Sequence, residues 1–218
     1  MKIKNGDFIE IDYVAKIKST GEVFDITEKD KAEKNNIRNK NIEYKPIVIC
    51  VGKRDVIPGL DEFLVGKDIG NFTVEISSEK AFGKKDPKLI KLMSASLLRK
   101  QKIEPIPGLK INMDGFIGTI VSVSGGRTLM DFNNPLAGKD VIYELKINKI
   151  VTDAKDKLKS FLSLYLTKKP DFEIKDDEAI IKFKKLDDKV KEIISDKIKE
   201  RIIEIKKVTF IEQPLENK

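Results

Sequence analysis

Ile47-Val-Ile-Cys-Val-Gly-Lys-Arg-Asp-Val-Ile-Pro-Gly-Leu-Asp-Glu-Phe-Leu-Val-Gly-Lys-Asp-Ile-Gly70 is the stretch whose reading decides the fold. A short apolar strand, Ile47 to Val51, runs into a turn at Gly52. Val56-Ile57-Pro58-Gly59-Leu60 then opens a brief helix. Two β-branched residues are followed at once by proline and glycine, so the backbone turns sharply where the side chains are stiff and apolar. Such a turn can floor a pocket. It can equally be an ordinary strand-turn-helix core, because short apolar runs do not reveal their partners.

The 218 residues suffice for one large domain or two to three modest ones, with enough apolar content for a real core. The single cysteine, Cys50, lies inside the apolar strand, which excludes an internal disulfide and points to a buried structural thiol in a reducing compartment. Nothing reads as a targeting or membrane-spanning segment, so a cytoplasmic protein with no membrane partner is expected. The formal charge is +7, but acids and bases are interspersed, which argues against a nucleic-acid partner. There is no histidine, which removes His-based acid–base chemistry, His-metal sites and His-containing triads together. Gly-rich phosphate loops are missing as well. The carboxylate pairs Asp61-Glu62, Asp176-Asp177 and Asp187-Asp188 read as solvated surface, and neither a metal nor a cofactor is expected.

Upstream of the opening stretch, Phe8-Ile-Glu-Ile-Asp-Tyr13 alternates, with Phe8, Glu10 and Asp12 on one side of a strand and Ile9, Ile11 and Tyr13 on the other. A turn at Ser19-Thr-Gly-Glu22 leads to a second short strand at Val23-Phe24-Asp25. Thr27 to Lys45 reads as an exposed loop with a helical turn. Downstream, Gly70 to Ile76 alternates again, with Phe72, Val74 and Ile76 on its buried side. After Asp86 the chain mixes apolar and basic residues, and the prolines of Ile103-Glu-Pro-Ile-Pro-Gly108 block regular structure. Three short strands follow, at 109–113, 115–124 and 128–132, with turns at Asp114-Gly115 and Gly125-Gly126. Asn133-Asn-Pro-Leu-Ala-Gly138 is a loop, and Val141 to Ile150 is a long alternating strand.

Beyond Val151 the pattern is helical. Leu158, Phe161, Leu162, Tyr165 and Leu166 mark one helix face between Asp153 and Lys168. Phe172-Glu-Ile and Ala179-Ile-Ile-Lys-Phe form a hairpin around an acidic turn. A second helix is expected over 187–207, with Val190, Ile193, Ile194, Ile198, Ile202 and Ile205 on its stripe, before a last strand at 208–211. So small a module either packs against a second copy or stands as a monomeric domain.

Aromatic and apolar side chains recur at strand ends and turns: Tyr13, Phe24-Asp25, Gly52-Lys-x-x-Val56-Ile57-x-Gly-Leu60, Ala81-Phe82-Gly83 and Tyr143. In this order they resemble the FKBP-type peptidyl-prolyl cis-trans isomerases. Some fifty residues separate Phe82 from Asn133-Asn-Pro-Leu-Ala-Gly138, which resembles the long-type, SlyD-like archaeal branch, where an inserted lobe replaces the flap. The resemblance covers roughly residues 1–150. It implies an α+β fold: an antiparallel half-barrel sheet around a short helix (1–86 with 134–151), a β-rich insert-in-flap lobe (87–133) and a C-terminal α+β domain (152–218).

The resemblance also implies roles. Tyr13, Asp25, Ile57, Phe82 and Tyr143 would act on the substrate; Phe24, Ile47, Val56, Leu60, Leu136 and Ala137 would line its pocket. Leu60 would be the floor where the family often has tryptophan, and the Ile57 N–H would hold a substrate carbonyl. Asp25 would accept from the Tyr13 hydroxyl. Phe82 stands where a tyrosine is common, so one positioning hydrogen bond is missing. Asn134 stands where the long-type branch has histidine, and metal handling is not carried over. The reaction suits a site with neither nucleophile nor histidine: rotation about X-Pro breaks no bond and crosses a resonance barrier of about 18–20 kcal/mol, and an apolar pocket disfavours the planar, charge-separated ground state.

In the insert, Leu89, Ile90, Leu92, Met93, Leu97 and Leu98 beside basic residues either present an adaptable apolar surface to unfolded chains or fill the lobe's own core. The expected partners are proline-containing peptides and unfolded polypeptides. The alternative is a holdase chaperone with a vestigial pocket.

Overall fold

The computed structural model describes residues 2–39, 43–113, 115–166, 170–183 and 186–212. In chain order the elements are β1 (Phe8–Ile17), β2 (Val23–Ile26), α1 (Lys29–Lys34), β3 (Ile47–Cys50), α2 (Pro58–Leu64) and β4 (Gly70–Ile76), then β5 (Ile90–Ser94), α3 (Ala95–Lys100), β6 (Lys110–Met113), β7 (Phe116–Ser124) and β8 (Arg127–Asp131). Next come β9 (Val141–Val151), α4 (Ala154–Tyr165), β10 (Asp171–Lys175), β11 (Glu178–Phe183), α5 (Asp188–Arg201) and β12 (Lys207–Glu212). The fold is α+β, with mostly antiparallel sheets and few helices. Among the described residues no helix is long and apolar enough to cross a membrane.

Where three parts are expected from the sequence, contacts give two compact units: Met1–Ile76 with Val141–Lys218, and Ser77–Asp140. The first unit holds a five-stranded antiparallel sheet in the order β2-β1-β9-β4, with β3 sharing the β1 edge with β2. Ile9, Ile11, Ala15, Leu145, Ile147 and Ile49 are all nearly solvent-free, so the period-two pattern does place one face in a core. Phe8 points the other way and is buried too. Its register partners Cys50 and Val151 lie on the same face, and all three join Leu158, Phe161, Leu162, Ile194, Ile198, Ile202 and Ile205 in one apolar cluster. That shared core is why residues 152–218 do not separate as a unit of their own.

The C-terminal strands pair in the order β10-β11-β12, the last pair parallel. The Asp153 and Asp187 carboxylates accept from the backbone N–H groups of Asp156 and Lys189 and start α4 and α5. Helix α5 ends at Arg201 rather than near Lys207. A parallel crossover requires the chain to leave the helix and run back before β12, and the Lys206 and Lys207 amides are held by the Asp177 carbonyl at 2.8 and 3.2 Å. Ile202 and Ile205 reach the core from non-helical backbone.

The second unit is a four-stranded antiparallel sheet, β5-β8-β7-β6, against which α3 packs Leu98. Its core is Leu98, Ile111, Ile120 and Met130, with Met93, Ile103, Met113, Val123 and Phe132 against it. Gly118 leaves room for Phe132, whose ring carbon lies 2.6 Å from where a Cβ would stand.

Candidate active site

In the first unit, Tyr13 sits on β1 just where β2 joins it. Thr27, nearly buried, fixes the junction: its hydroxyl accepts the Tyr13 N–H at 2.9 Å and donates to Asp12 at 2.8 Å, while its own N–H donates to the Tyr13 carbonyl at 3.1 Å. Opposite Ala15 on β2 stands Asp25, whose Oδ2 accepts the Tyr13 hydroxyl at 2.8 Å and whose Oδ1 accepts the Ile26 N–H at 2.9 Å. Tyr143, opposite Ala15 on β9, brings its ring to 5.4 Å from Tyr13 and, edge-on, to 6.3 Å from Phe24. These are ordinary distances for favourable aromatic pairs. Three rings from three adjacent strands thus meet beside one exposed carboxylate.

Burial pushes both phenols above the ordinary tyrosine value, and the negative charge of Asp25 adds to the effect. Both therefore stay neutral in the usual pH range. Among the described residues the Tyr143 hydroxyl has no hydrogen-bond partner and remains a free donor. The site offers apolar ring faces and neutral hydroxyls, a low-polarity cage rather than an acid–base pair.

Val56 and Ile57 lie half-buried on the loop leading into α2, a seven-residue helix too short to persist alone. Pro58 occupies its first position, where a missing N–H costs nothing. Leu60 and Leu64 are solvent-free, each contributing about 1.5–3 kcal/mol, and the Phe63 ring meets Phe72 of β4 edge-on at 5.9 Å. The Ile57 carbonyl accepts from Leu60 and Asp61, while its N–H has no acceptor among the described residues. A donor at a helix start is thus left open.

Ile47 pairs with Ile11, on the face that carries Tyr13 two residues on; it also edges a groove of about 440 Å³ with Pro46, Lys149, Ser160 and Leu164. Direct contact therefore joins Tyr13, Phe24, Asp25 and Tyr143, and register adds Ile47. Val56, Ile57 and Leu60 belong to the same unit through the loop and α2. Phe82, Leu136 and Ala137 lie in the second unit, where the Gly138 N–H donates to the Gly83 carbonyl at 2.7 Å and ties their two loops together.

Two expectations are corrected. Leu98, expected on a surface for unfolded chains, is a solvent-free member of the second unit's core, because α3 turns it inward onto Ile111 and Ile120. Asp61, read as solvated surface, is 6% exposed. Its carboxylate accepts the Gly52 N–H at 2.8 Å and the Arg54 N–H at 3.0 Å. Both residues are left-handed, at φ +80° and +59°; at Gly52 a Cβ would lie 2.5 Å from the Asn5 side-chain oxygen. Asp55 was also missed: its Oδ2 accepts the Cys50 N–H at 2.8 Å. For Asp61 the one available signal was an acid in the first turn of a helix following a glycine turn.

Among the described residues no group of three or more Cys, Asp or Glu side chains is placed to hold a metal ion.

Residues 1–98 match the family model described as FKBP-type peptidyl-prolyl cis-trans isomerase, and residues 91–136 match one described as FKBP26, IF domain. A short-type peptidyl-prolyl cis-trans isomerase of Methanocaldococcus jannaschii is 32% identical over 149 residues, 68% of this chain and 94% of that protein. That name differs from the long-type branch expected from the insert. The FKBP-type 16 kDa peptidyl-prolyl cis-trans isomerase of Escherichia coli is 29% identical over 111 residues, 49% of this chain and 74% of that protein. A multi-domain immunophilin from Arabidopsis thaliana matches 72% of this chain at 16% identity and a TM-score of 0.37, with 42% of that chain covered.

Proposed function

This chain belongs to the FKBP-type peptidyl-prolyl cis-trans isomerases, and we propose that it speeds rotation about X-Pro bonds at the cluster of Tyr13, Phe24, Asp25 and Tyr143. The observation that carries the proposal is the meeting of three rings around a Tyr13–Asp25 hydrogen bond in the first unit. Proline's apolar ring fits against ring faces, and the amide bound there leaves water. Its planar form, with charge separated between oxygen and nitrogen, loses solvation that the twisted form needs less. Every 1.4 kcal/mol or so of that preference gives about tenfold in rate. The open Ile57 N–H takes a substrate carbonyl and fixes the pose; Val56, Leu60 and Ile47 exclude water. Asp25 holds the Tyr13 hydroxyl in place, and no proton is transferred.

The test is protease-free isomer exchange on a proline tetrapeptide. Tyr143→Ala is expected to lower kcat/KM at least about tenfold, and Asp25→Ala about threefold, the value of one lost hydrogen bond. Exchange no faster than the uncatalysed tens to hundreds of seconds sinks the isomerase reading and leaves the holdase.

A second activity, capture of unfolded chains by the Ser77–Asp140 unit, is favoured by its exposed apolar side chains, Phe116 at 71%, Ile117 at 64% and Leu92 at 59%, together with Leu89 and Leu97. Both units share one chain, so capture raises the local concentration of prolines. Replacing residues 87–133 by a short loop is expected to spare tetrapeptide exchange and to abolish most proline-limited refolding activity; equal loss on both substrates refutes the division. We further propose that the chain is of the long-type branch, acts in the cytoplasm and pairs with a second copy through exposed Ile193 and Ile203, the pairing tested by sedimentation.

A further inference from the structure

The loop that carries Val56 and Ile57 is gripped from outside the sheet-and-α2 framework. The Arg201 side chain, at the end of α5, is 5% exposed and that of Asp55 is 2% exposed. Arg201 Nη1 donates to Asp55 Oδ1 at 2.6 Å; Nη2 donates to the Tyr165 hydroxyl at 2.8 Å and to the Lys53 carbonyl at 3.2 Å. The Tyr165 hydroxyl, at the end of α4, donates to the same Asp55 oxygen at 2.8 Å. The guanidinium is steered by ring faces, 4.9 Å from the Tyr165 centroid and 5.4 Å from that of Phe161. Lys53 is ion-paired with Glu200, the neighbour of Arg201.

Four consecutive loop residues are therefore held, and the grips alternate. Gly52 and Arg54 are held through their N–H groups by Asp61 of α2. Lys53 and Asp55 are held by Arg201 and Tyr165. The Lys53 carbonyl and the Arg54 N–H belong to one peptide unit, so that unit is held from both sides, its N–H by Asp61 and its carbonyl by Arg201, and the α2 side supplies only half of the restraint. Arg201 Nε is buried without a hydrogen-bond partner. A guanidinium placed for its own satisfaction would use that donor; this one is turned so that its two Nη groups reach the loop.

We infer that Arg201 and Tyr165 are positioning residues for the isomerase site: acting through Asp55 and the Lys53 carbonyl, they set the backbone path that presents the Ile57 N–H to the substrate. The inference rests on the isomerase reading above. It makes the C-terminal segment part of the catalytic unit.

The test uses the full chain at a temperature where circular dichroism shows it folded. Arg201→Met is expected to lower kcat/KM for a proline tetrapeptide at least fivefold and to shift the Ile57 amide resonance in a nitrogen–proton correlation spectrum. Arg201→Lys keeps a charge beside Asp55 but cannot span Asp55 and the Lys53 carbonyl, so it restores part of both. Tyr165→Phe, on a half-exposed ring, removes one hydroxyl without leaving a buried charge; it gives about a twofold loss with a smaller shift in the same direction, and decides the matter if Arg201→Met does not fold. Unchanged kcat/KM and an unmoved Ile57 resonance in a folded variant overturn the inference. So does a loss of activity with the resonance unmoved, since the effect then bypasses the loop. If the unmodified protein shows no exchange activity, the isomerase reading fails instead, and the resonance comparison alone decides whether the clamp sets the loop.

Discussion

Replacing Asp61 separates a structural carboxylate from a surface one. It accepts two backbone N–H groups, from Gly52 and Arg54, and hydrogen bonds to a charged group contribute about 1.5–3 kcal/mol each. The loop is partly exposed, so water replaces some of what Asp61→Ala removes, and the lower figure applies to each bond. Against this loss, Arg54 escapes its left-handed conformation at φ +59°, a strain of order 1 kcal/mol. The net is a destabilisation of about 2 kcal/mol, which lowers the melting temperature by roughly 4–8 °C in a chain of this size.

Asp61→Asn is the more telling change, because it is nearly isosteric. Asparagine keeps one acceptor but turns an NH2 group toward the second loop N–H, so one bond is lost and two donors oppose each other. The loss is expected to match that of alanine. Urea unfolding measures it as a lower midpoint at unchanged slope. Because the loop precedes Ile57, kcat/KM falls in both variants even where they are fully folded. An Asp61→Asn protein within about 0.5 kcal/mol of the original, the usual range for surface substitutions, refutes the reasoning.

Leu98→Ala is expected to cost about 2–5 kcal/mol and to strip hydrogen-exchange protection from Ile111, Ile120 and Met130, its neighbours in the second unit's core. Leu92→Ser, on the exposed face, stays within about 0.5 kcal/mol and weakens refolding assistance instead. In an alkaline titration followed by phenolate absorbance, Tyr13→Phe and Tyr143→Phe each leave the signal gained below about pH 11 unchanged, because burial holds both phenols above the ordinary value near 10. Burial also pushes the Cys50 thiol up to about 11, with the Asp55 charge adding to it. The folded state then keeps a proton that the unfolded chain releases above about pH 8.5, so this contribution to stability is intact below that pH and declines as pH rises toward 11. Urea midpoints of the original protein are expected to fall more steeply over that window than those of Cys50→Ala.

The sheet was legible because alternation encodes it directly: Phe8 to Tyr13, Gly70 to Ile76 and Val141 to Ile150 each show a period of two, and each is a strand. β5 was not. Ile90-Lys-Leu-Met-Ser94 mixes lysine with apolar residues without a clean period, and only pairing with β8 makes it a strand. The overlong α5 is the converse error. Ile202 and Ile205 continue the 3.6-residue spacing and are buried, but spacing reports which residues enter a core, not the backbone that delivers them. The meeting of Tyr13, Phe24 and Tyr143 follows from strand order, which no local pattern contains; family resemblance supplied it.

Asp55 and Asp61 were illegible for a deeper reason. A carboxylate is buried when donors are aimed at it: those on Asp61 come from a loop whose left-handed residues, Gly52 and Arg54, are themselves held by Asp61, and those on Asp55 come from Cys50 and from Tyr165 and Arg201 far along the chain. Neither side of that arrangement is visible before the other is known. The Pro58-Gly59 turn suggests that proline stiffness aims the Ile57 amide. Proline, however, fixes only its own φ, and the path into it runs through Gly52, Lys53, Arg54 and Asp55, where no residue type enforces the conformation that Arg54 adopts. That conformation persists because Asp61 holds one side of the loop and Arg201 with Tyr165 holds the other. On this reading the aim of the amide is a property of residues from three distant parts of the chain, and a substitution at position 201 is expected to act at position 57 without touching it.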